Sequence, residues 1–449
     1  MTVASIDLTE LGAHATAILA APLPPGVSAM SRTLLVDTLG ALIGGVRYPE
    51  VRALARELGA AADVDLPGGE FARLVTLGSA ATWLDADSGG SIHPHGDRLP
   101  PVPTAHPAPH VLPVVLEAAR SGVDDGRALR AFAAGTELGM RLGAGSSLRP
   151  GLHPHGVHGP AGAAVARAVL AGADAAAVGR AFARGAALPL AALLAVPMAG
   201  GTVRNAWTGL GTYYGTLAAT DSADGDAEVI TQLFDHAVCD ELDPDVLMGT
   251  TEPWRLLHSY LKPYACARWI HPALDALRQA LHDHPGVPVS AVEVTTFAFA
   301  ASLTGSRPRT DMAARFSLPF SLATFAVDGR LAADGFLPDR LVRPDVIDLA
   351  ERVTVREDPG FTAALPAERP TSVLVRFADG AQREVAVRNA RGNPDDPLPA
   401  QEVAAKLRHN VGDLLPVALV DELAGWLVAE PGATGVLGRI SRLLWAGLA

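Results

Sequence analysis

Residues 287–299 read VPVSAVEVTTFAF, and this stretch decides the fold class. It is β-branched and alternating, the pattern of a half-buried strand. Two later stretches share the pattern. Glu351–Glu357 (ERVTVRE) alternates, and Thr371–Arg388 (TSVLVRFADGAQREVAVR) reads as a hairpin turning at Asp379-Gly380. A helix around Ser317–Val327 lies among these strands. Upstream the character is the opposite. Alanine and leucine dominate, apolar residues recur at helical spacing, and strand signals are nearly absent. Helices are predicted at Ser31–Gly44 (stopping at a Gly pair), Val51–Gly59, Ala72–Leu84, Pro107–Ser121, Asp125–Leu142, Pro160–Gly172, Ala175–Leu188, Leu210–Thr220 and His271–His282. After a Pro-rich loop at Asn393–Pro399, helix returns at Ala400–His409, Pro416–Leu427 and Gly435–Leu448. The predicted fold class is mainly α with an α+β second domain. Residues 1–262 form the helical domain, 263–395 a smaller α+β lid, and 396–449 return to the helical domain.

Composition narrows the function. The chain has 449 residues, 49% of them hydrophobic, which suffices for a large core. Its formal charge is −12 and no basic stripe occurs, which argues against a nucleic-acid partner. Cys239 and Cys266 make no disulfide framework, and no CxxC pair suggests zinc. The N-terminus lacks the basic region of a secretory signal, so a cytoplasmic location is expected. The most apolar stretch, about Gly185 to Gly201, is broken by Pro189 and Pro197. It is shorter than the ~20 residues of a membrane span and reads as a buried helix pair. No membrane partner is expected. Lysine occurs only at Lys262 and Lys406, the other 34 of the 36 basic residues being arginine. A lysine retained against that bias is a candidate for chemistry that needs a compact ammonium. Lys262 fits that role. Lys406, in EVAAKLRH, reads as an exposed helix position.

Three His-Pro pairs carry the chemical argument: His106-Pro107, His153-Pro154 and His271-Pro272. Proline is comfortable in the first helical turn, so His106 and His271 are placed at or near helix N-termini. There the dipole favours a neutral imidazole, and free N–H groups can hold a carboxylate. His153 lies with His155 and His158 in the loop GLHPHGVHGPAG. Zinc is the rival reading of that loop, but no HExxH element or helical i, i+4 histidine pair accompanies it. Upstream, WLDADSGGSIHPHGD (Trp83–Asp97) supplies Asp85 and Asp87 to orient a histidine or a water. His93, His95 and Asp97 of that segment stay ambiguous or solvated. Tyr260–Asp275 (YLKPYACARWIHPALD) gathers Lys262, Tyr264 and His271 at the predicted domain junction, where a cleft can form. Gly200–Gly211 (GGTVRNAWTGLG) offers Arg204 as a fork for a carboxylate and matches no nucleotide-binding fingerprint.

In order along the chain, LLVDTLGALIGG, TAHPAPHVLPVVLEAA, GLHPHGVHGPAGAAVARAVLAGAD, GGTVRNAWTGLGTYYGTLAA, LKPYACARWIHPALDAL and ARFSLPFSLATFAVDG resemble the MmgE/PrpD family. Its activities include 2-methylcitrate dehydration, cis-aconitate decarboxylation and iminodisuccinate epimerisation. The resemblance implies a helical domain, an α+β lid, a homodimer, and for most members no cofactor or metal. It places the acidic motif at Asp85 and Asp87 and the catalytic histidines at His106 and His153. The substrate-binding basic residue falls on Arg204, and the lysine and histidine at the lid junction on Lys262 and His271. Three positions depart from the dehydratase and decarboxylase branches, which tend to have lysine at 204, threonine at 155 and tyrosine at 320 where this chain has Arg204, His155 and Phe320.

The expected function is a cofactor-independent lyase or isomerase. It would abstract a proton alpha to a carboxylate of a small di- or tricarboxylate, leading to dehydration, decarboxylation or epimerisation. His106 or His153 is the expected base, Lys262 or His271 the acid, Arg204 the carboxylate clamp, and Asp85 the residue orienting a histidine. His155, Asp87, Tyr264 and Phe320 complete the candidate substrate contacts. The rival classes are a metal-dependent hydrolase built on HPHGVHG and a non-catalytic carboxylate-binding scaffold.

Overall fold

The computed structural model describes residues 6–59, 67–91, 105–190, 192–220, 230–249 and 254–448. His93, His95 and Asp97 lie outside these residues. The described residues are mostly helical, 58% of them, with a small mixed sheet in the C-terminal region.

The N-terminal part contains helices α1 (Leu8–Ala20), α2 (Pro25–Gly45), α3 (Pro49–Glu57), α4 (Pro67–Trp83), α5 (Ala108–Arg120), α6 (Asp125–Ala144), α7 (Gly159–Leu170), α8 (Ala175–Ala186), the short α9 (Ala195–Met198) and α10 (Val203–Ala218). Local chemistry sets several starts. The side chain of Asp124 accepts from Arg127 N at 2.9 Å ahead of α6, and Asp174 accepts from Ala177 N at 2.8 Å ahead of α8. Each such cap contributes about 1 kcal/mol. Helix α2 is apolar enough to cross a membrane by length and composition, yet 78% of that apolar window is buried inside the fold.

The lid is built from α11 (His271–Asp283), α12 (Leu318–Asp328), α13 (Pro344–Ala350) and a four-stranded sheet. Its strands are β7 (Val289–Thr296), β8 (Val353–Glu357), β9 (Thr371–Phe377) and β10 (Gln382–Val387), in the order β10-β9-β7-β8. Val294 pairs antiparallel with Val373 and parallel with Val355. Gly380, at φ +88°, turns the β9–β10 hairpin where Asp379-Gly380 predicts it. One buried cluster, running from Ile6 to Ala265, takes in C-terminal helices α14 (Ala400–Val411), α15 (Val417–Gly425) and α16 (Val436–Leu448). A second joins residues between Tyr264 and Phe377. Arg315, fully buried, ties the two together by donating to Leu84 O and Ala265 O, both at 2.8 Å.

Three expectations need correction. Gly185–Gly201 is not a buried helix pair. It carries β4 (Ala192–Leu193), which pairs with β3 (Leu152–His153), followed by α9. Leu188 and Leu193 there are exposed, because the two prolines break the helical pattern into a surface turn. Helix α10 begins at Val203, not Leu210, so Arg204 sits in a helix rather than a glycine loop. Lys406 is not on an open surface, since α14 packs against α2 and the lysine reaches inward.

Candidate active site

Short ladders position the site. β1 (Gly89–Gly90) pairs with β6 (Ser259–Tyr260), bringing the acidic segment to the junction before Lys262. The β3–β4 pair fixes His153. At Gly89 a Cβ would lie 2.8 Å from both His106 Cε1 and Tyr260 Oη, so only glycine lets these two rings approach.

A cavity of about 400 Å³ opens here, the size of a small-ligand pocket. Its floor is Asp85, His106, His153, His155, Arg204 and Lys262, while Arg268, Trp269, Phe297, Phe299 and Arg369 close it from the lid side. Six of the ten predicted site residues thus line one space. Asp87 lies directly behind them, fully buried.

The two aspartates exchange their expected roles. Asp85 orients no histidine. Its Oδ1 accepts from Arg204 at 2.6 Å and from Lys262 at 2.8 Å, and its carbonyl accepts from Lys262 at 3.0 Å. Its backbone is left-handed, φ +48°, a conformation costing a non-glycine residue on the order of 1–3 kcal/mol. Asp87 is the residue between the histidines. Its Oδ2 lies 2.8 Å from His106 Nδ1 and 3.0 Å from His155 Nε2. Burial pushes the Asp87 carboxyl up, but Lys262, His155 and His106 outweigh it and hold it well below the usual range. Burial also opposes the charge on Lys262, yet Asp85, Asp87 and Tyr260 raise its pKa. Lys262 is therefore a locked cation and not a ready proton donor. Arg204, committed to Asp85, Thr82 O and Asn205 Oδ1, is not a free carboxylate clamp.

The histidines differ in polarity. His106 Nδ1 faces two acceptors, Asp87 Oδ2 and Ser88 O at 2.9 Å, so its proton sits on Nδ1 and Nε2 keeps a lone pair. His153 Nδ1 instead faces both the backbone N–H and the Nδ1 of His155, each at 3.2 Å, and by accepting the backbone N–H it places its own proton on Nε2. Burial, and then the charge of Arg204, push the pKa of both His153 and His155 well below the usual imidazole range. The His155 ring stacks on His106 with centroids 4.3 Å apart and on His153 at 4.7 Å.

His271, Tyr264 and Phe320 do not reach the cavity. His271 Nε2 donates to Cys266 O at 3.1 Å and its Nδ1 accepts from Arg268, at 3.1 Å. Tyr264 Oη donates to Asp275 at 2.8 Å, and Phe320 packs in the lid core against Phe336. Hydrogen bonds hold His271 and Tyr264 away from the cavity, and the apolar lid core holds Phe320. His271 positions Arg268 instead. His158 is likewise separate, its Nε2 bonded to Ser146 Oγ at 3.0 Å, so the three histidines of HPHGVHG do not share a ligand. Among the described residues, Asp87, His106 and His155 are the group whose donor atoms could hold an ion, lying within 4.8 Å of one another. Their 2.8 and 3.0 Å contacts are shorter than the about 3.3 Å between ligands of a tetrahedral zinc. The spacing suits shared protons.

Sequence reasoning passed over His110, Arg268 and Arg369. His110, one turn beyond His106, donates from Nδ1 to His106 O at 3.0 Å and accepts Gly156 N–H on Nε2 at 3.2 Å. It thereby joins the two histidine segments. The sequence does hold an i, i+4 histidine pair, His106 and His110, contrary to the expectation that none accompanies the loop, and that spacing was the available signal.

The pattern of the MmgE/PrpD N-terminal domain matches residues 9–233, and that of the C-terminal domain matches residues 264–424. The chain belongs to the MmgE/PrpD family. Members of this family are lyases such as dehydratases and decarboxylases. Two cis-aconitate decarboxylase sequences of Aspergillus terreus are each 24% identical over 194 residues, which is 40% of this chain and 39% of theirs. The match thus spans well under half the length of these curated relatives. The family match agrees with the expected resemblance and with the two-part architecture.

Proposed function

We propose that this MmgE/PrpD protein is a cofactor-independent lyase or isomerase of a small carboxylate-bearing substrate, with His106 as base and His153 as acid. One observation carries the reading: the two cavity histidines are held with opposite polarity. His106 presents a lone pair, while Asp87 waits behind it to stabilise the imidazolium it would become. His153 presents an N–H on the far side of His155. Together they remove a proton alpha to a carboxylate and return one to the leaving group or to the opposite face. Lys262 and Arg204 hold fixed positive charge at the cavity floor, which stabilises the enolate-like intermediate. The similarity to cis-aconitate decarboxylase supports a carboxylate substrate, and the apolar roof of Trp269, Phe297 and Phe299 supports exclusion of water.

The test is NMR detection of solvent deuterium entering candidate di- and tricarboxylates. Wild-type protein should exchange an α-hydrogen of at least one. His106→Gln should slow this on the order of 10²-fold or more, whereas His153→Gln should keep exchange and lose net product. Exchange that persists in His106→Gln removes His106 as base, and no exchange into any of the panel removes the reading.

A further inference from the structure

The cations of the cavity are unequally committed. Arg204 and Lys262 are both bonded to Asp85. Arg268 is spent on neutral acceptors, namely Arg391 O at 2.9 Å, Asn393 Oδ1 at 2.8 Å, Ala390 O and His271. It also lies over the Tyr260 ring, 4.8 Å from the centroid. Arg369 has no protein acceptor for its guanidinium among the described residues, and its enclosed Nε is left without a partner. Against these four cations, Asp85 is the one acidic residue among the described lining residues, with Asp87 behind it. Counting both carboxylates, and Asp275 and Asp395, whose charges act on Arg268, the cavity is left with the charge of Arg369 on its lid side.

We infer that Arg369 is the residue that receives the ligand carboxylate remote from the histidine floor, and so the one through which di- and tricarboxylates are favoured over monocarboxylates. The inference deepens the proposed function and rests on its carboxylate substrate. A half-buried guanidinium whose enclosed Nε has no acceptor is completed by an anion, and a planar carboxylate matches its fork with two parallel hydrogen bonds. The placement is fixed rather than incidental. The Arg369 backbone N–H donates to Asn389 Oδ1 at 3.0 Å, and Pro370 follows directly before β9. Leu365 and Pro366 of the same segment also line the cavity. The reacting carbon sits at the histidine floor, so the carboxylate at Arg369 is a remote handle. Its binding energy orients the substrate and rejects shorter acids.

Calorimetry with tricarballylate, succinate and butyrate on the intact protein tests this. Wild type should bind tricarballylate at least about tenfold more tightly than butyrate, and Arg369→Gln should erase most of that ratio while leaving butyrate within about twofold. Arg369→Lys should recover part of the affinity, since it restores charge without the fork. Equal weakening of all three acids, an unchanged ratio in Arg369→Gln, or no discrimination by wild type overturns the assignment. The deuterium exchange test stands apart. Discrimination lost in Arg369→Gln with no exchange in wild type would keep the docking site and remove the lyase reading. An unchanged ratio alongside exchange would do the reverse.

Discussion

Replacing Lys406 by methionine should cost about 3–5 kcal/mol of folding stability at neutral pH, a large part of the roughly 5–15 kcal/mol of a typical fold. The magnitude follows from burial. The Asp37 side chain on α2 is fully enclosed, that of Lys406 is 10% exposed, and Nζ lies 2.7 Å from Oδ1. Asp37 Oδ2 has no hydrogen-bond partner among the described residues, so the ammonium supplies most of the compensation. An exposed pair would contribute at most about 1 kcal/mol. Burial pushes the Asp37 carboxyl above the usual range, and Lys406 opposes that rise. Without the lysine the folded-state pKa climbs further above its unfolded value. The folded chain then holds the extra proton between the two values, so stability is greatest below the unfolded pKa and is lost as pH rises through the folded one. The deficit of Lys406→Met should therefore shrink as pH falls from neutral towards about 4. Urea unfolding across that range reads both effects. Asp37→Leu with Lys406→Met should regain most of the loss, because no bare charge remains. A cost below about 1 kcal/mol, or one that does not change with pH, would refute the buried pair.

Three further outcomes are expected. Asp87→Asn keeps an oxygen that can accept from both imidazoles but loses the negative charge that stabilises the His106 imidazolium, and should slow deuterium exchange on the order of 10²–10⁴-fold with tricarballylate affinity little changed; near-wild-type exchange would strip Asp87 of its role. His110 is lowered to about 4, first by burial, so between its ordinary 6.5 and 4 the unfolded chain takes up a proton that the fold refuses and stability falls with falling pH. His110→Gln should make that slope of unfolding free energy against pH shallower, and an unchanged slope would contradict it. Val203, Leu210 and Leu217, spaced by seven on α10, are 56%, 43% and 47% exposed, an apolar stripe suited to a second copy of the chain. Light scattering should find a dimer that Leu210→Glu dissociates, and a wild-type monomer at micromolar concentration would exclude that face as an interface.

The long elements were legible because their periodicity spans many residues. VPVSAVEVTTFAF and the Asp379-Gly380 hairpin became β7, β9 and β10, and most predicted helices appear within a few residues of their expected ends. What assembles the site was not legible. The two-residue ladders β1–β6 and β3–β4 are too short to carry an alternating pattern, yet they set Gly89 and His153 in place. His-Pro marked helix starts correctly at α5 and α11, but it does not say which way a ring turns. His106 faces the cavity, and His271 turns back to Cys266 O. Arg369 lacked any motif, because a lone arginine before a strand reads as surface charge until the lid folds over the floor.

The scarcity of lysine gains a structural reason from residues 85–87. Each of these consecutive residues is held by a group from a distant part of the chain. Arg204 and Lys262 hold Asp85, Lys406 holds the Ala86 carbonyl at 2.8 Å, and His106 and His155 meet at Asp87. Both lysines therefore grip one short segment from separate directions. Each ammonium bonds a carboxylate oxygen and a carbonyl oxygen at once, Lys262 at Asp85 and Lys406 across Asp37 and Ala86. A planar guanidinium is broader, and its five donors would leave several N–H groups unmet in spaces this closed. The left-handed turn at Asp85 persists because this grip over-determines it. Asp87 is two residues away, so a shift of the segment moves the carboxylate that sets the His106 tautomer. Lys406 stands outside the cavity and yet belongs to the geometry of the base.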